Sequence, residues 1–192
     1  FPTEVALRVP QHGSVWRLDW QLRPEDDAEV ERSPERVTAR MRAMFGEDVE
    51  FKVLWVSVYR FEIRRLEKFR HQRIFFAGDA AHQLSPFGGG RGGNSGVQDV
   101  DNLVWKLRSV IEGRAPDALL DTYDTERIPV ADDNMAYSRR SSEFLNPSTP
   151  HSAALRDAIL RLTPEIDFAK AFVNTGRHSV APDLVGSPLL SE

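Results

Sequence analysis

A glycine-rich segment between residues 78 and 96 constrains the fold of this chain more than any other feature. It holds seven of the chain's 12 glycines. The apolar run at residues 73–77 precedes it without polar–apolar alternation, which predicts a strand buried on both faces. Ser95 and Gln98 fit a capping box, which predicts the start of a helix after the glycines. Apolar residues recur through this helix at helical spacing: Val97, Val100, Val104, Leu107 and Ile111.

This order of elements predicts a ligand site at the start of the helix. The first N–H groups of a helix have no acceptor inside it and carry a partial positive charge, and glycines let a ligand approach the backbone closely. Asp79, at the end of the predicted strand, is a suitable acceptor for ligand hydroxyls. A P-loop is excluded because no Gly-Lys-Ser/Thr follows. The dinucleotide fingerprint, a G-x-G-x-x-G placed directly between a strand and a helix, is not present either. A plain flexible turn is the competing interpretation.

The composition excludes several classes of protein. The 192 residues carry a net charge of −4, which argues against a nucleic-acid partner. The chain has no cysteine, so disulfides, thiolate metal sites and cysteine nucleophiles are excluded. Its five histidines are scattered, and no metal site is predicted. No apolar run reaches the length of about 18 residues that a membrane span needs, so we expect no membrane partner and a cytoplasmic protein.

The first 65 residues predict an antiparallel sheet with one covering helix. Polar and apolar residues alternate in a way typical of strands with one buried face. The alternating stretches are residues 5–9, 16–22 and 51–64. Ser33, Pro34 and Gly46 predict the two ends of a helix between the second and third strands. The acidic segment 24–33 predicts a solvated loop.

Helices dominate the prediction for the second half of the chain. A helix from Asp117 contains Pro129, which is expected to kink or interrupt it. Residues 146–151 predict a linker with two prolines, and residues 152–173 predict one or two further helices. Beyond them the sequence predicts an irregular tail.

One stretch of the chain resembles a known family. Residues 73–107 read RIFFAGDAAHQLSPFGGGRGGNSGVQDVDNLVWKL. They resemble the second flavin motif of FAD-dependent aromatic-ring monooxygenases, of the p-hydroxybenzoate hydroxylase and 3-(3-hydroxyphenyl)propionate hydroxylase kind. The motif consists of GDAAH, a proline four residues after the histidine, glycines, an asparagine and D-x-x-N-L-x-W-K-L. Residues 120–129 are similar as well, and the resemblance covers most of the chain, weakest after about residue 150.

The resemblance implies an α/β fold class, with α+β content in this chain. Residues 1–65 would be part of an antiparallel-sheet substrate-binding domain, and residues 66–145 the C-terminal part of a Rossmann-like FAD-binding domain. Residues 146–192 would be a helical extension and an irregular tail. The family's N-terminal G-x-G-x-x-G is absent and the first residue is Phe1, so we expect a fragment. Its partners would be the missing N-terminal part of the same protein and, in a homodimer, a second copy.

The same resemblance implies the chemistry. FAD would be the cofactor and NADH or NADPH the co-substrate, and the enzyme would hydroxylate a small aromatic, usually phenolic, ring with O₂. Two alternatives stay open. One is a related flavoprotein with another reaction, such as an epoxidase, a halogenase or a reductase. The other is a non-catalytic fragment that binds no flavin.

The family motif also implies which residues contact the cofactor. Asp79 would hydrogen-bond the ribityl chain of FAD, and the helix start would face the pyrimidine edge of the isoalloxazine. The cofactor-binding residues would be Gly78, Asp79, Ala80, Pro86, Gly89, Gly90, Gly92, Gly93 and Asn94. The glycine loop is one residue longer than the usual spacing, and Arg91 lies in the altered stretch. No catalytic residue is assigned.

Aromatic residues of the early sheet predict a substrate pocket. Tyr59 and Phe61 lie near the end of the predicted strand 51–64, which leads toward the flavin motif. With Pro86, they are expected to line a flat apolar pocket that stacks on an aromatic ring. Burial of these aromatics in an ordinary core is the competing interpretation.

Overall fold

The computed structural model describes residues 6–23, 25–85, 91–173, 184 and 186–190. The chain divides into two compact units, Phe1–Arg60 and Phe61–Glu192. The assignment of residues 1–65 and 66–145 to a substrate domain and a cofactor domain stays a prediction.

The first unit begins with a β-hairpin. Strand β1 (Ala6–Pro10) pairs antiparallel with β2 (Trp16–Trp20), as the alternation predicts. The expectation of one buried face is wrong. Trp16 is 60% exposed, and the neighbouring residues Leu18 and Asp19, whose side chains point to opposite faces, are both half-buried. A two-stranded hairpin alone buries little of either face.

The helix between residues 33 and 46 is confirmed by the structure. Helix α2 (Pro34–Phe45) follows a shorter helix, α1 (Ala28–Glu31). The Ser33 hydroxyl accepts a hydrogen bond from the Arg36 N–H, and Gly46 ends α2 with a φ of 98°. Only glycine adopts such a left-handed conformation without strain.

Helix α1 corrects the prediction of a solvated loop at residues 24–33. Asp27 caps α1 by accepting a hydrogen bond from the Glu29 N–H at 2.8 Å. Glu31 is buried and forms an ion pair of 2.6 Å with the buried Arg40 of α2. An acidic segment is solvated only where its carboxylates have no partners in the protein. Here Arg40 is the partner of Glu31.

The predicted strand 51–64 is wrong. Residues 51–63 have no regular structure, and strand β3 covers only Arg64–Arg65. Alternation yields a strand only where a neighbouring strand completes the hydrogen bonds, and no described strand pairs with residues 51–63. Apolar side chains in this segment, such as Leu54 and Trp55, are therefore exposed.

Four short strands form two antiparallel pairs in the second unit. Strands β4 (Arg70–His71) and β5 (Ile74–Phe75) pair with each other, and β3 pairs with β6 (His82–Gln83). The predicted doubly buried strand at 73–77 is therefore wrong, since Ile74 is 61% exposed. A tight turn at Gln72, with a φ of 57°, folds β5 back onto β4 and limits it to two residues.

Helices make up the rest of the second unit. They are α3 (Arg91–Ile111), α4 (Thr122–Leu145), α5 (Pro150–Leu162) and α6 (Asp167–Val173). Pro129 was expected to kink or interrupt its helix; α4 continues through Pro129, so the residue does not interrupt it. One or two helices were predicted at residues 152–173; the structure has two, and α5 begins inside the expected linker. Most of the expected irregular tail lies outside the described residues.

A compact core holds the second unit together. It consists of Phe69, Ala81, Leu103, Tyr123 and Ala131. The Tyr123 hydroxyl donates to the Phe76 carbonyl at 2.9 Å, and burial raises the pKa of Tyr123. Among the described residues, no helix combines the length and apolar composition that crossing a membrane requires.

Helix α3 places a largely polar face toward this core. Its buried residues are Arg91, Ser95, Asp99, Leu103 and Lys106. Most of the predicted apolar stripe is exposed on the opposite side, including Val97, Val100, Val104 and Ile111. Buried charges are tolerated here because each is paired with a residue of α4 or β6.

Candidate functional site

The 3₁₀ turn Gly78–Ala80 lies directly against the beginning of α3. A Cβ at Gly96 would lie 3.2 Å from the Gly78 Cα, and a Cβ at Gly78 would lie 3.6 Å from the Gly96 Cα. Gly78 also has a φ of +57°. Glycine at both positions therefore permits the backbones of the turn and the helix to touch.

Asp79 brings a carboxylate to the first turn of α3. A Cβ at Gly92 would lie 3.9 Å from Asp79 Oδ1, so the carboxylate is adjacent to the Gly92 backbone. The Asp79 side chain is exposed. It forms no hydrogen bond or ion pair with the described residues, so its oxygens can accept hydrogen bonds from a ligand.

Helix α3 begins earlier than its sequence predicts. Arg91 is its first residue, so the expected capping box at Ser95 and Gln98 is wrong. Ser95 is buried and its hydroxyl lies 3.4 Å from Asn134 Nδ2, while Gln98 Oε1 accepts from Arg127 at 3.3 Å. The local pattern assigns the Ser95 and Gln98 side chains to capping, but both instead contact residues of α4.

The earlier start places three predicted cofactor residues in the first turn of α3. These are Gly92, Gly93 and Asn94. The N–H groups of a first helical turn have no acceptor within the helix, and the partial positive charge of the helix is greatest there. The structure therefore brings Gly78, Asp79 and Gly92 together, as the family motif implies.

Of the remaining predicted site residues, only some lie among the described residues. Ala80 is exposed beside Asp79. Pro86, Gly89 and Gly90 lie outside the described residues. Tyr59 and Phe61 are exposed, belong to different units and lie in a segment without regular structure.

Sequence reasoning assigned no role to Asp99, which is fully buried beneath the Gly78–Ala80 turn. Asp99 Oδ2 accepts from the Gly78 N–H at 2.9 Å and from His82 Nε2 at 2.7 Å. Asp99 Oδ1 accepts from Arg127 Nε at 2.7 Å. Burial raises the pKa of Asp99, but the hydrogen bonds from His82, Gly78 and Arg127 lower it below its usual value. The aspartate of the D-x-x-N-L motif is the only sequence signal that points to it.

A second buried pair joins α3 to α4. Lys106 Nζ lies 2.6 Å from Glu126 Oε2, which also accepts from Asn102 Nδ2 at 2.6 Å. The Ser187 hydroxyl donates to the other oxygen of Glu126 at 2.5 Å. These residues join α3 to α4, and none of their hydrogen bonds reaches the turn at residues 78–80.

Helix α4 also contacts Ser85 and Arg91, the two residues that flank positions 86–90. The Ser85 N–H donates to the Ser138 hydroxyl at 3.2 Å. Arg91 Nη1 donates to Asn134 Oδ1 at 2.9 Å. Nothing in the local sequence indicated these contacts, because they join residues more than 40 positions apart.

Comparison with known proteins decides the family. The model of a family described as the FAD binding domain matches residues 5–138. The chain belongs to this family. The match spans the Gly78–Ala80 turn, the start of α3 and the buried Asp99, and it confirms the resemblance on which the cofactor prediction rests.

Similar members of the FAD binding domain family include hydroxylases. The 3-(3-hydroxy-phenyl)propionate/3-hydroxycinnamic acid hydroxylase of Mycobacterium sp. (strain JLS) is 34% identical over 171 residues, which cover 89% of this chain and 30% of that enzyme. The OxyS anhydrotetracycline hydroxylase from Streptomyces rimosus has a TM-score of 0.63 and 29% identity, covering 90% of this chain and 36% of OxyS.

A second similar structure carries another activity in its name. The Diels-Alderase PyrE3 of pyrroindomycin biosynthesis has a TM-score of 0.69 and 27% identity, covering 88% of this chain and 36% of PyrE3. The chain thus spans between 30% and 36% of the length of these three relatives. These likenesses agree with the α/β fold class that the resemblance implies, and the helices and small antiparallel sheets described above confirm α+β content.

Proposed function

We propose that this chain forms part of the FAD site of a monooxygenase that hydroxylates an aromatic ring with O₂ and NADH or NADPH. One observation carries the proposal: the Asp79 carboxylate lies beside the Gly92 backbone, in the first turn of α3, in a chain of the FAD binding domain family. Bound FAD supplies the redox chemistry, and the protein supplies orientation and shielding.

The residues present fit FAD. An exposed carboxylate accepts hydrogen bonds from hydroxyl groups such as those of a ribityl chain. Gly92 and Gly93 have no Cβ, so a planar or anionic group can approach the backbone of the helix start. The positive end of α3 favours negative charge at that position, including charge that develops on reduction of the flavin.

The chain's own residues would bind and orient rather than react. Asp79 would accept hydrogen bonds from the cofactor, and the backbone at Gly78 and Ala80 would approach it closely. We also propose that Pro86, Gly89 and Gly90 contact the cofactor, and this part of the proposal rests on the family motif alone. No side chain of the described residues is given a covalent or proton-transfer step.

The substrate class follows from the relatives rather than from a pocket. The Mycobacterium relative is named for 3-(3-hydroxyphenyl)propionate and 3-hydroxycinnamic acid, and OxyS for anhydrotetracycline. We propose a phenolic substrate for this protein as well. Tyr59 and Phe61 remain the predicted aromatic contacts, although the strand that was expected to present them does not form.

The likeness to PyrE3 favours a second candidate. PyrE3 is named a Diels-Alderase, so the same arrangement of elements also occurs in a protein named for a reaction that inserts no oxygen. In that case the carboxylate and the helix start would bind the cofactor without supporting hydroxylation. The non-catalytic alternative requires in addition that no flavin binds.

Oxygen transfer separates these candidates. The protein would be expressed from its full reading frame, supplied with FAD and incubated under ¹⁸O₂ with NADH or NADPH and a panel of phenols. We expect one ¹⁸O atom in the product and NAD(P)H consumption that depends on the phenol. Bound flavin with no ¹⁸O incorporated into any of the phenols would favour the second candidate, and absence of bound flavin would overturn both.

The cellular setting is part of the same proposal. We place the protein in the cytoplasm, because the reaction consumes NADH or NADPH and they are produced there. The preceding part of the same protein and a second copy in a homodimer remain its predicted partners.

A further inference from the structure

We infer that Asp99 is a positioning residue for the cofactor site and acts through the Gly78–Ala80 turn on Asp79. The inference rests on the proposed binding of FAD by Asp79. It deepens that proposal because it names the group that sets the orientation of the cofactor-binding carboxylate.

The Asp99 carboxylate joins three elements at one point. It accepts from the Gly78 N–H of the turn at 2.9 Å, from His82 of β6 at 2.7 Å and from Arg127 of α4 at 2.7 Å. Gly78 precedes Asp79 directly, so the hydrogen bond to its N–H fixes the start of the turn that carries the Asp79 side chain.

Arg127, one of the donors to Asp99, is itself held in place. It is buried, and its Nη2 lies 3.4 Å from the Ser95 carbonyl and 3.3 Å from Gln98 Oε1, both on α3. His82 is buried and, within the described ranges, its Nδ1 has no hydrogen-bond partner. Among the described residues, Asp99 is therefore the hydrogen-bond partner that orients the His82 ring.

The close packing of the turn makes this orientation matter. Gly78 and Gly96 are so close that an added Cβ would lie 3.2 Å from the opposing backbone. A turn released from Asp99 cannot move toward α3 and must move away from it. Such a movement would separate the Asp79 carboxylate from Gly92, so that the carboxylate and the start of α3 could no longer contact the same cofactor.

A double-mutant cycle tests this coupling. FAD dissociation constants would be measured for the wild-type protein expressed from its full reading frame, for Asp99→Asn, for Asp79→Ala and for the double variant. We expect each single variant to bind FAD about tenfold more weakly, since a lost hydrogen bond to a charged group is worth at least that factor. The double variant should bind no more weakly than Asp79→Ala, because Asp99 acts through Asp79.

Glu126→Gln serves as the matched control. Glu126 is a buried carboxylate of α4 that is paired with α3 and makes no contact with the turn. This variant should be less stable but should keep the wild-type dissociation constant for FAD. If Glu126→Gln weakens FAD binding as much as Asp99→Asn does, or if the effects of Asp99→Asn and Asp79→Ala multiply, the inference is overturned.

His82→Leu keeps the test decisive if Asp99→Asn does not fold. Leucine has no side-chain donor, so this variant removes one hydrogen bond to Asp99 and leaves the Asp99–Arg127 ion pair intact. We expect FAD binding about threefold weaker, with no further loss in the Asp79→Ala background. An unchanged dissociation constant would contradict the inference alone. A wild-type protein that binds no FAD would instead overturn the proposed function together with it.

Discussion

Lys106 and Glu126 show at the residue scale how a buried charge is accommodated in this fold. Both side chains are almost completely buried, and burying a charge is costly unless it is paired and hydrogen-bonded. Glu126 receives hydrogen bonds from Asn102, Lys106 and Ser187. Burial raises the pKa of Glu126, but these hydrogen bonds lower it below its usual value.

Replacing Glu126 with glutamine should therefore have a pH-dependent effect. At pH 7 we expect Glu126→Gln to lower the free energy of unfolding by about 3 kcal/mol, because Lys106 is left buried without its counter-ion. The carboxylate titrates near pH 4.3 in the unfolded chain and lower in the folded protein. Its contribution is complete above about pH 4.3 and is lost as the pH falls through the folded value. Urea unfolding at pH 7, 5 and 3.5 would measure this.

A second variant controls for the loss of packing. In Lys106→Met combined with Glu126→Gln, no unpaired charge remains, so the double variant should lose less stability than Glu126→Gln alone. The ion-pair role of Glu126 would be contradicted if the stability difference between wild type and Glu126→Gln did not change with pH. It would also be contradicted if the double variant were less stable than Glu126→Gln.

At the scale of elements, the glycines at the start of α3 have different roles. Gly96 faces the Gly78 backbone, and an added Cβ would lie 3.2 Å from it. Gly93 is exposed, and an added Cβ there would have no neighbour within 4 Å. Gly96 therefore serves the packing of the turn, whereas Gly93 can serve a ligand.

Alanine at these two positions should separate folding from cofactor binding. Gly96→Ala should lower the free energy of unfolding by about 1–3 kcal/mol through overpacking. Gly93→Ala should raise it by up to about 1 kcal/mol, because alanine favours the helix, and should weaken FAD binding because the Cβ meets the cofactor. Thermal unfolding without FAD and FAD titration give the two readouts. A Gly93→Ala variant with unchanged FAD affinity would remove Gly93 from the site.

The elements also show which parts of the structure a sequence can predict. The ends of α2 follow from Ser33, Pro34 and Gly46, because capping depends on residues within one turn. The contacts of Asp99 could not be predicted, since they join residues 17 to 28 positions apart. For the same reason, alternation at residues 51–63 predicted a strand but could not show that no described strand would pair with it.

Family knowledge identified the ligand of the candidate site, which local patterns could not do. The glycines and Asp79 predicted a ligand site, but only the family motif named FAD as the ligand. The strand assigned to residues 73–77 was wrong, yet the turn that follows it does meet the start of α3. Long-range contacts within the second unit, rather than a buried strand, place Asp79 there.

At the scale of the whole molecule, the length of the relatives bears on cofactor affinity. The chain spans 30% of the Mycobacterium hydroxylase, and the family's N-terminal G-x-G-x-x-G motif, which would hold the ADP half of FAD, is not among these 192 residues. We expect the 192-residue chain alone to bind FAD at least about 100-fold more weakly than the protein from the full reading frame. Each lost hydrogen bond to a charged group costs about 1.5–3 kcal/mol. Equal affinities, measured by flavin fluorescence, would show that these residues hold the entire site.

The central claim is that Asp79, at the turn facing the start of α3, binds FAD. Its most direct test is an FAD titration of the protein from the full reading frame as wild type, Asp79→Ala and Asp101→Ala. Asp101 is an exposed carboxylate on α3 and controls for the lost charge. We predict FAD binding at least about tenfold weaker in Asp79→Ala, wild-type affinity in Asp101→Ala, and equal melting temperatures for both variants without FAD. Wild-type affinity in a folded Asp79→Ala variant would contradict the account.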